Sequence, residues 1–289
     1  MKPLATNTIA ELLAKSVLLK DISDTPRLDV EVILANILQQ SRSYLFTWPE
    51  KTVTEQQLED FAAALERRQR GEPVAHITGF REFWSMRLKV SPQTLIPRPD
   101  TEILVQQALD LGGKLEKQLH IANLKVLDLG TGTGAIALAL ASEHADWQIT
   151  ATDNYDEPLK VAEENRRSLG LNNVTLLRSN WFERVTGKYH LIVSNPPYID
   201  SSDLFLQQGD VRFEPRSSLV AEEHGVSDIR VICEAAAAFL APGGYLLFEH
   251  GYQQASQVQG IMSENGYTCL HTAKDLGARD RVTTGRYEI

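Results

Sequence analysis

Asn195-Pro196-Pro197-Tyr198 brings together residues suited to holding a planar NH2 group. Asn195 offers a side-chain carbonyl and Tyr198 a flat ring. The two prolines fix φ and remove two backbone donors, so the loop is stiff and its carbonyls, that of Pro196 among them, stay free to accept. Two acceptors grip the hydrogens of an amide or amine, the ring packs on its face, and the nitrogen is aimed at an electrophile. The tetrapeptide follows Tyr189-His190-Leu191-Ile192-Val193-Ser194, so it falls just past the C-terminal end of a buried strand. In open α/β sheets that edge is where ligands bind. A proline-rich turn after a strand is the plain alternative, and the tetrapeptide alone does not exclude it.

A glycine loop upstream weighs against that alternative. Lys125-Val126-Leu127-Asp128-Leu129 reads as a buried strand, Gly130-Thr131-Gly132-Thr133-Gly134 as a turn, and Ala135 to Ala141 as a helix start built of small residues. Glycines let backbone approach a ligand, and helix N-terminal N–H groups face its polar atoms. The spacing is G-x-G-x-G, not the G-x-G-x-x-G of pyrophosphate binders, and no G-x-x-x-x-G-K-[ST] phosphate loop is present. A second strand, Gln148 to Thr152, ends at Asp153, where an acidic side chain can take a ribose diol; a turn or cap residue is the alternative there.

Loop, acidic residue and N-P-P-Y in this order resemble the class I S-adenosylmethionine-dependent methyltransferases. The N-P-P-Y subset modifies adenine N6 in nucleic acids or a glutamine side-chain amide in proteins. Thr94-Leu95-Ile96-Pro97-Arg98-Pro99-Asp100-Thr101-Glu102 narrows this, because it is similar to a segment of the peptide chain release factor glutamine N5-methyltransferases, the HemK/PrmC family. The resemblance spans nearly the whole chain, including a helical N-terminal region and the ending Arg281-Val282-Thr283-Thr284-Gly285-Arg286-Tyr287.

The resemblance implies S-adenosylmethionine as cofactor, with its methionine part cradled by Gly130, Thr131, Gly132, Thr133 and Gly134 and its ribose held by Asp153. Asp128 braces the loop, and Asn195 also reaches the methionine end. Trp181 packs on adenine, with a core aromatic as the alternative. Many relatives carry Asp where this chain has Asn180, which puts that single contact in doubt. Asn195, Pro196 and Tyr198 are expected to be catalytic, and these three with Pro197 to bind substrate. The sulfonium methyl is already activated, so orientation does most of the work. The implied substrate is the glutamine of the Gly-Gly-Gln loop of class-1 release factors. A ribosomal-protein glutamine methyltransferase, an N6-adenine methyltransferase on DNA or RNA, and a non-catalytic cofactor-binding scaffold are the other readings. The intact N-P-P-Y speaks against the last.

Elements that position these residues follow from periodicity. Residues 1–78 read as a helical domain, for substrate recognition or as a structural cap on the catalytic domain, with Ile9 to Leu19 apolar at helical spacing, Pro26 near a first turn, and a helix from Thr54 to about Gly71. Residues 79–98 read as a β-hairpin linker. Asp100 is placed to cap a helix over Thr101 to Leu111. Residues 99–289 alternate between strands and helices, which predicts an α/β, doubly wound, mostly parallel sheet; the resemblance adds seven strands and an antiparallel last one. The long connection over 199–226 is placed to shape the substrate entrance.

The 289 residues carry a net charge of −9 and lack a continuous basic stripe. That disfavours stable nucleic-acid binding, which relies on phosphate neutralisation. No apolar run is long enough to span a membrane. Met1 to Asn7 lacks a secretory pattern, so a cytoplasmic monomer is expected. Cys233 and Cys269 are expected to be buried small hydrophobes. The histidines, without paired cysteines or H-E-x-x-H, predict no metal, and His250 reads as a hydrogen-bonded structural residue.

Overall fold

The computed structural model describes residues 7–288. Met1 to Thr6, part of the start read above for targeting, lie outside the described residues. The chain divides into two compact units, one running to Phe80 and including Gln207–Phe213, the other comprising Arg81–Leu206 and the chain from Glu214 on. No helix among the described residues is long and apolar enough to cross a membrane.

The smaller unit is helical, with α-helices Ile9–Ala14, Pro26–Leu38, Arg42–Thr47, Glu55–Gln69 and Val74–Thr78. Two carry a capping box, Thr8 with Glu11 and Thr54 with Gln57, each satisfying free N–H groups of the first turn. Their apolar faces meet in one core that includes Leu12, Ile33, Leu34, Leu45 and Phe61. The expected helix over Ile9 to Leu19 tightens into a 3-10 turn from Lys15. Gln207–Phe213 joins this unit although the sequence assigned it to the catalytic domain. Arg68, paired with Asp29 at 2.7 Å, also reaches Asp210 at 3.5 Å. Arg212 donates to the Arg70 carbonyl at 3.1 Å.

Strands β1 (Phe80–Phe83) and β2 (Met86–Lys89) form the expected hairpin. Trp84 and Ser85 between them both have positive φ, as the tight two-residue turn requires. The main sheet comprises β3 (Lys125–Leu129), β4 (Gln148–Asp153), β5 (Val174–Arg178), β6 (Tyr189–Ser194), β9 (Leu240–Glu249), β10 (Tyr267–Lys274) and β11 (Asp280–Tyr287). The remaining strands, β7 (Ile199–Asp200) and β8 (Val220–Ala221), pair with each other in the long connection. The sheet order is β10-β11-β9-β6-β3-β4-β5. β3 to β6 and β9 run parallel, while β11 is antiparallel to both neighbours. This is the doubly wound, seven-stranded arrangement that the alternation and the family resemblance imply.

Both faces of the sheet are covered, as the continuous apolar runs require. Val126, Leu191, Val193 and Leu247 pack towards Leu104, Ala108 and the helix Ala135–Glu143. Leu127, Leu129, Ile192 and Phe248 pack on the opposite face with Ile229, Ile232, Val258 and Ile261. Register then decides where the functional segments emerge. Leu129 lies opposite Thr152 of β4 and Ser194 of β6, and Ser194 lies opposite Phe248 of β9. The glycine loop, Asp153, the N-P-P-Y loop and Glu249 therefore leave the sheet at one level on one edge.

Three expectations change. The helix read as Thr101 to Leu111 is Glu102–Leu119, preceded by a 3-10 turn Pro99–Thr101, and Asp100 does not cap it. The helix runs on through Gly112, where a Cβ would fall 2.2 Å from the Trp147 ring, so the glycine admits a close neighbour. Within the connection 199–226, two short strands bracket three 3-10 turns. Cys233 is buried as expected, but Cys269 is exposed, with φ 50°.

Candidate active site

The glycine loop is held by backbone bonds from both sides. Thr131 N–H donates to Thr152 O at 2.8 Å, and Gly134 N–H to Thr131 O at 2.8 Å. Gly130, Gly132 and Gly134 all have positive φ. A Cβ at Gly132 would meet no atom within 4 Å, so this backbone faces open space. Asp128 lies beneath, fully buried, and accepts from the Thr131 hydroxyl at 2.6 Å, which makes it the brace expected. Burial pushes its carboxyl up to about 7. Thr133 is buried, and its carbonyl accepts from Asn165 Nδ2 at 2.9 Å.

Asp153 ends β4 beside this loop. Its Oδ2 accepts from Gly132 N–H at 3.0 Å and its Oδ1 from Tyr155 N–H at 3.0 Å. Burial raises its pKa, and these backbone donors oppose the shift. Each oxygen keeps a further lone pair, since a carboxylate accepts about four hydrogen bonds. Trp181 is half-buried, and its ring edge lies 3.5 Å from where a Cβ of Gly130 would stand. Ser179 Oγ ties down the Trp181 carbonyl at 2.9 Å, across a positive φ of 45°. Asn180 spends its Nδ2 on Glu183 at 2.8 Å. Open backbone at Gly132, an anchored carboxylate and an indole beside Gly130 fit an adenosine-bearing cofactor.

The N-P-P-Y loop begins where β6 ends. Ser194 Oγ donates to Leu129 O at 2.8 Å and fastens this strand end to β3. Asn195 donates its Nδ2 to Thr101 Oγ1 at 3.4 Å. Pro196 is buried, Pro197 half-buried. The Tyr198 hydroxyl donates to Glu249 Oε1 at 3.2 Å. Burial and the Glu249 charge push the Tyr198 pKa up, so its proton stays on oxygen. The Tyr198 carbonyl takes Gln254 Nε2 at 3.0 Å, and the same Nε2 reaches His224 O at 3.1 Å.

Charged side chains stand behind this loop, several of them in the stretches 94–102 and 281–287 quoted above. Arg281 bridges Asp100 at 3.2 Å and Asp275 at 3.1 Å. Arg98 pairs with buried Glu214, whose carboxylate also accepts from Ile96 N–H at 3.4 Å. The 94–102 segment singled out in the sequence is thus wired to the site through Asp100 and Thr101. His250 uses both ring nitrogens, at 2.9 Å from Gly251 O and 2.8 Å from Thr283 Oγ1, which suits a structural role. Its neighbour Glu249 carries the contact to Tyr198. A carboxylate closing an apolar strand, Leu246-Leu247-Phe248-Glu249, was the signal available for it.

Gly225 yields a first prediction. With φ 84°, a Cβ there would fall 2.1 Å from the Tyr198 carbonyl oxygen and 2.6 Å from Gln254 Nε2. Gly225→Ala is expected to lower stability by about 1–2 kcal/mol from backbone strain alone. It should also displace the end of the N-P-P-Y loop. Thermal unfolding should show a lower Tm, and kcat should fall more than cofactor affinity. An unchanged Tm and kcat would mean the contact is readily relaxed.

The family described as the PrmC N-terminal domain matches residues 12–79, and the Methyltransferase small domain matches residues 100–210. A release factor glutamine methyltransferase of Shewanella oneidensis is 51% identical over 266 residues, covering 92% of this chain and 91% of that protein. One from Aliivibrio fischeri is 46% identical over 286 residues, 98% of each chain. Among solved structures, a methyltransferase from Pyrococcus furiosus matches with TM-score 0.52 at 18% identity, over 79% of this chain and 100% of that one. That likeness concerns the fold alone.

Proposed function

The chain belongs to the release factor glutamine methyltransferases, and from this premise we propose that it methylates the side-chain nitrogen N5 of the glutamine in the Gly-Gly-Gln loop of class-1 release factors. It is an S-adenosylmethionine-dependent enzyme. The observation that carries the substrate reading is the Asn195–Tyr198 loop, which leaves β6 level with the glycine loop and is held from behind by Thr101, Glu249 and Gln254.

The cofactor supplies an electrophilic methyl group on a sulfonium. The glycine loop and Asp153 bind it, and Trp181 flanks it. Asn195 Oδ1 and the Pro196 carbonyl accept the two hydrogens of the target amide, and the Tyr198 ring covers its face. An amide nitrogen is a poor nucleophile because its lone pair is conjugated. Acceptors aimed at its hydrogens favour electron density on nitrogen as conjugation is lost, so they bind the transition state more tightly than the ground state. The proton leaves after transfer, so no strong general base is needed beside the nitrogen.

The helical unit is proposed to recognise the protein substrate. It exposes large apolar side chains, with Val17 at 54%, Phe46 at 55% and Trp48 at 43% exposure. The enzyme is proposed to work as a cytoplasmic monomer. Its net charge of −9 supports a protein substrate over a nucleic acid, since a flipped base needs phosphate contacts to offset unstacking.

The test is labelled methyl transfer. Incorporation into a class-1 release factor is expected, and changing the Gly-Gly-Gln glutamine to alanine should abolish it. DNA and RNA should remain at background. Robust adenine labelling without release-factor labelling would overturn the reading in favour of an N6-adenine methyltransferase.

A further inference from the structure

The connection that follows Tyr198 is tied off at its two ends. It leaves the N-P-P-Y loop through β7 and returns through β8, which pairs with β7, and Ile199 N–H donates to Leu219 O at 2.9 Å. Beyond β8 the chain turns on three successive residues with positive φ, Glu223 at 52°, His224 at 58° and Gly225 at 84°. Only the last is a glycine, so the other two carry a backbone cost that contacts around them must offset. His224 Nδ1 lies 3.2 Å from Asp200 Oδ2, and Arg230 Nε donates to Glu223 Oε2 at 3.2 Å.

Gln254 gathers these ends. It is half-buried in the turn after β9 and precedes the helix Ala255–Glu264. Its Nε2 donates to Tyr198 O at 3.0 Å and to His224 O at 3.1 Å, and lies 3.4 Å from Gly225 O. Its Oε1 accepts from Gly251 N–H at 2.8 Å. The amide has one orientation here. Reversed, its oxygen would face three carbonyls and its NH2 would face an N–H, with no hydrogen bond on either side. Two glycines make room for it. A Cβ at Gly225 would fall 2.6 Å from Nε2, and one at Gly251 would fall 2.9 Å from Oε1. The backbone beneath is fixed as well. Gln254 N–H donates to Gly251 O and Gln254 O accepts from Val258 N–H, each at 2.9 Å.

We propose that Gln254 is a positioning residue for methyl transfer: its side-chain NH2 clamps the Tyr198 carbonyl to the returning end of the connection and so fixes the exit of the N-P-P-Y loop. The inference rests on the reading of Asn195 to Tyr198 as the amide-binding loop. The prolines stiffen that loop as far as Pro197. Beyond them the chain has no such restraint of its own, and the clamp supplies one at the residue whose ring covers the target amide. A misplacement of about 1 Å can cost about a hundredfold in rate. Gln254 belongs to the loop after β9, whereas the glycine loop and Asp153 follow β3 and β4. Loss of the clamp should therefore act on kcat and spare cofactor affinity.

A purely local role would use the other end of the amide, where Oε1 closes the turn from Gly251 to Gln254. Substitution separates the two ends. Gln254→Glu keeps the length of the side chain and an acceptor for Gly251 N–H, but in alkaline buffer it is ionised and turns an oxygen towards three carbonyls. Gln254→Met keeps the length and loses both ends.

The experiment measures kcat, KM and cofactor affinity in alkaline buffer for the full chain, with a release factor as substrate. Both variants should lower kcat about tenfold or more, Gln254→Glu no less than Gln254→Met, with cofactor affinity within about threefold of wild type. A Gln254→Glu variant that keeps kcat within about threefold of wild type while Gln254→Met loses it assigns the side chain to the turn and overturns the clamp. A loss confined to KM or to cofactor affinity overturns it too. Should Gln254→Glu fail to fold, a double-mutant cycle of Gln254→Met with Gly225→Ala decides. Both act through the Tyr198 carbonyl, so their effects on kcat should combine to less than their product, and full multiplication overturns the clamp. These outcomes presuppose a wild type that labels the release factor and leave the substrate reading standing. A wild type that leaves the release factor unlabelled overturns the substrate reading and the clamp with it.

Discussion

Replacing Asn195 with alanine should remove methyl transfer while leaving cofactor affinity close to wild type. The Asn195 side chain starts where β6 ends, and its Nδ2 is engaged by Thr101 at 3.4 Å, so its oxygen is the end available to a target amide. Loss of one such preorganised contact typically lowers kcat by about 10²–10³. The change should appear in kcat rather than KM, because the acceptor matters most once the amide conjugation breaks. The backbone carbonyl of Pro196 remains in the variant, so substrate binding is retained. Single-turnover transfer and calorimetric titration with cofactor separate the two effects. Turnover within a few fold of wild type would remove Asn195 from the reaction.

Asp153→Ala should show the converse pattern, a loss of cofactor affinity. Each carboxylate oxygen retains a lone pair that the proposed ribose hydroxyls would use, and charge-assisted bonds of this kind contribute about 1.5–3 kcal/mol, or roughly ten- to hundredfold in Kd. A second cause adds to the first. Asp153 Oδ2 holds Gly132 N–H at 3.0 Å, so the truncation also releases the glycine loop. Asp153→Asn keeps an acceptor for that N–H and should fall between alanine and wild type. Unchanged calorimetric affinity in the alanine variant would rule out the ribose role.

Much of the fold and the candidate site was legible in the sequence because it is written in contiguous stretches. Gly130 to Gly134 follows a short apolar run and precedes a small-residue helix, and Asn195 to Tyr198 follows another. Strand, turn and helix are local properties, and parallel register brings such loops to one edge without further information. The support behind the loop was not legible. Thr101, Glu249 and Arg281 lie far apart in sequence and meet only after β9 and β11 pair, with Val282 opposite Glu249. Asp100 illustrates the limit. Beside a helix start it reads as a cap, but an arginine 181 positions later, Arg281, takes it as an ion-pair partner. The continuation of that helix through Gly112 was hidden for a related reason, since nothing local announces the Trp147 ring that needs its missing side chain.

Exchanging the helical unit for that of a relative would not succeed by a single cut after Phe80. Arg68 and Arg70 would lose Asp210 and Arg212, partners that lie 142 positions further along the chain. A workable graft must carry Gln207–Phe213 along with the N-terminal helices, as a two-piece cassette. The smaller piece sits in the connection that follows Tyr198 and returns to Glu214, the partner of Arg98. Insertions and deletions in that connection are therefore constrained from both ends, and any change made to suit a new protein substrate in one unit must be matched in a loop that belongs, by sequence, to the other.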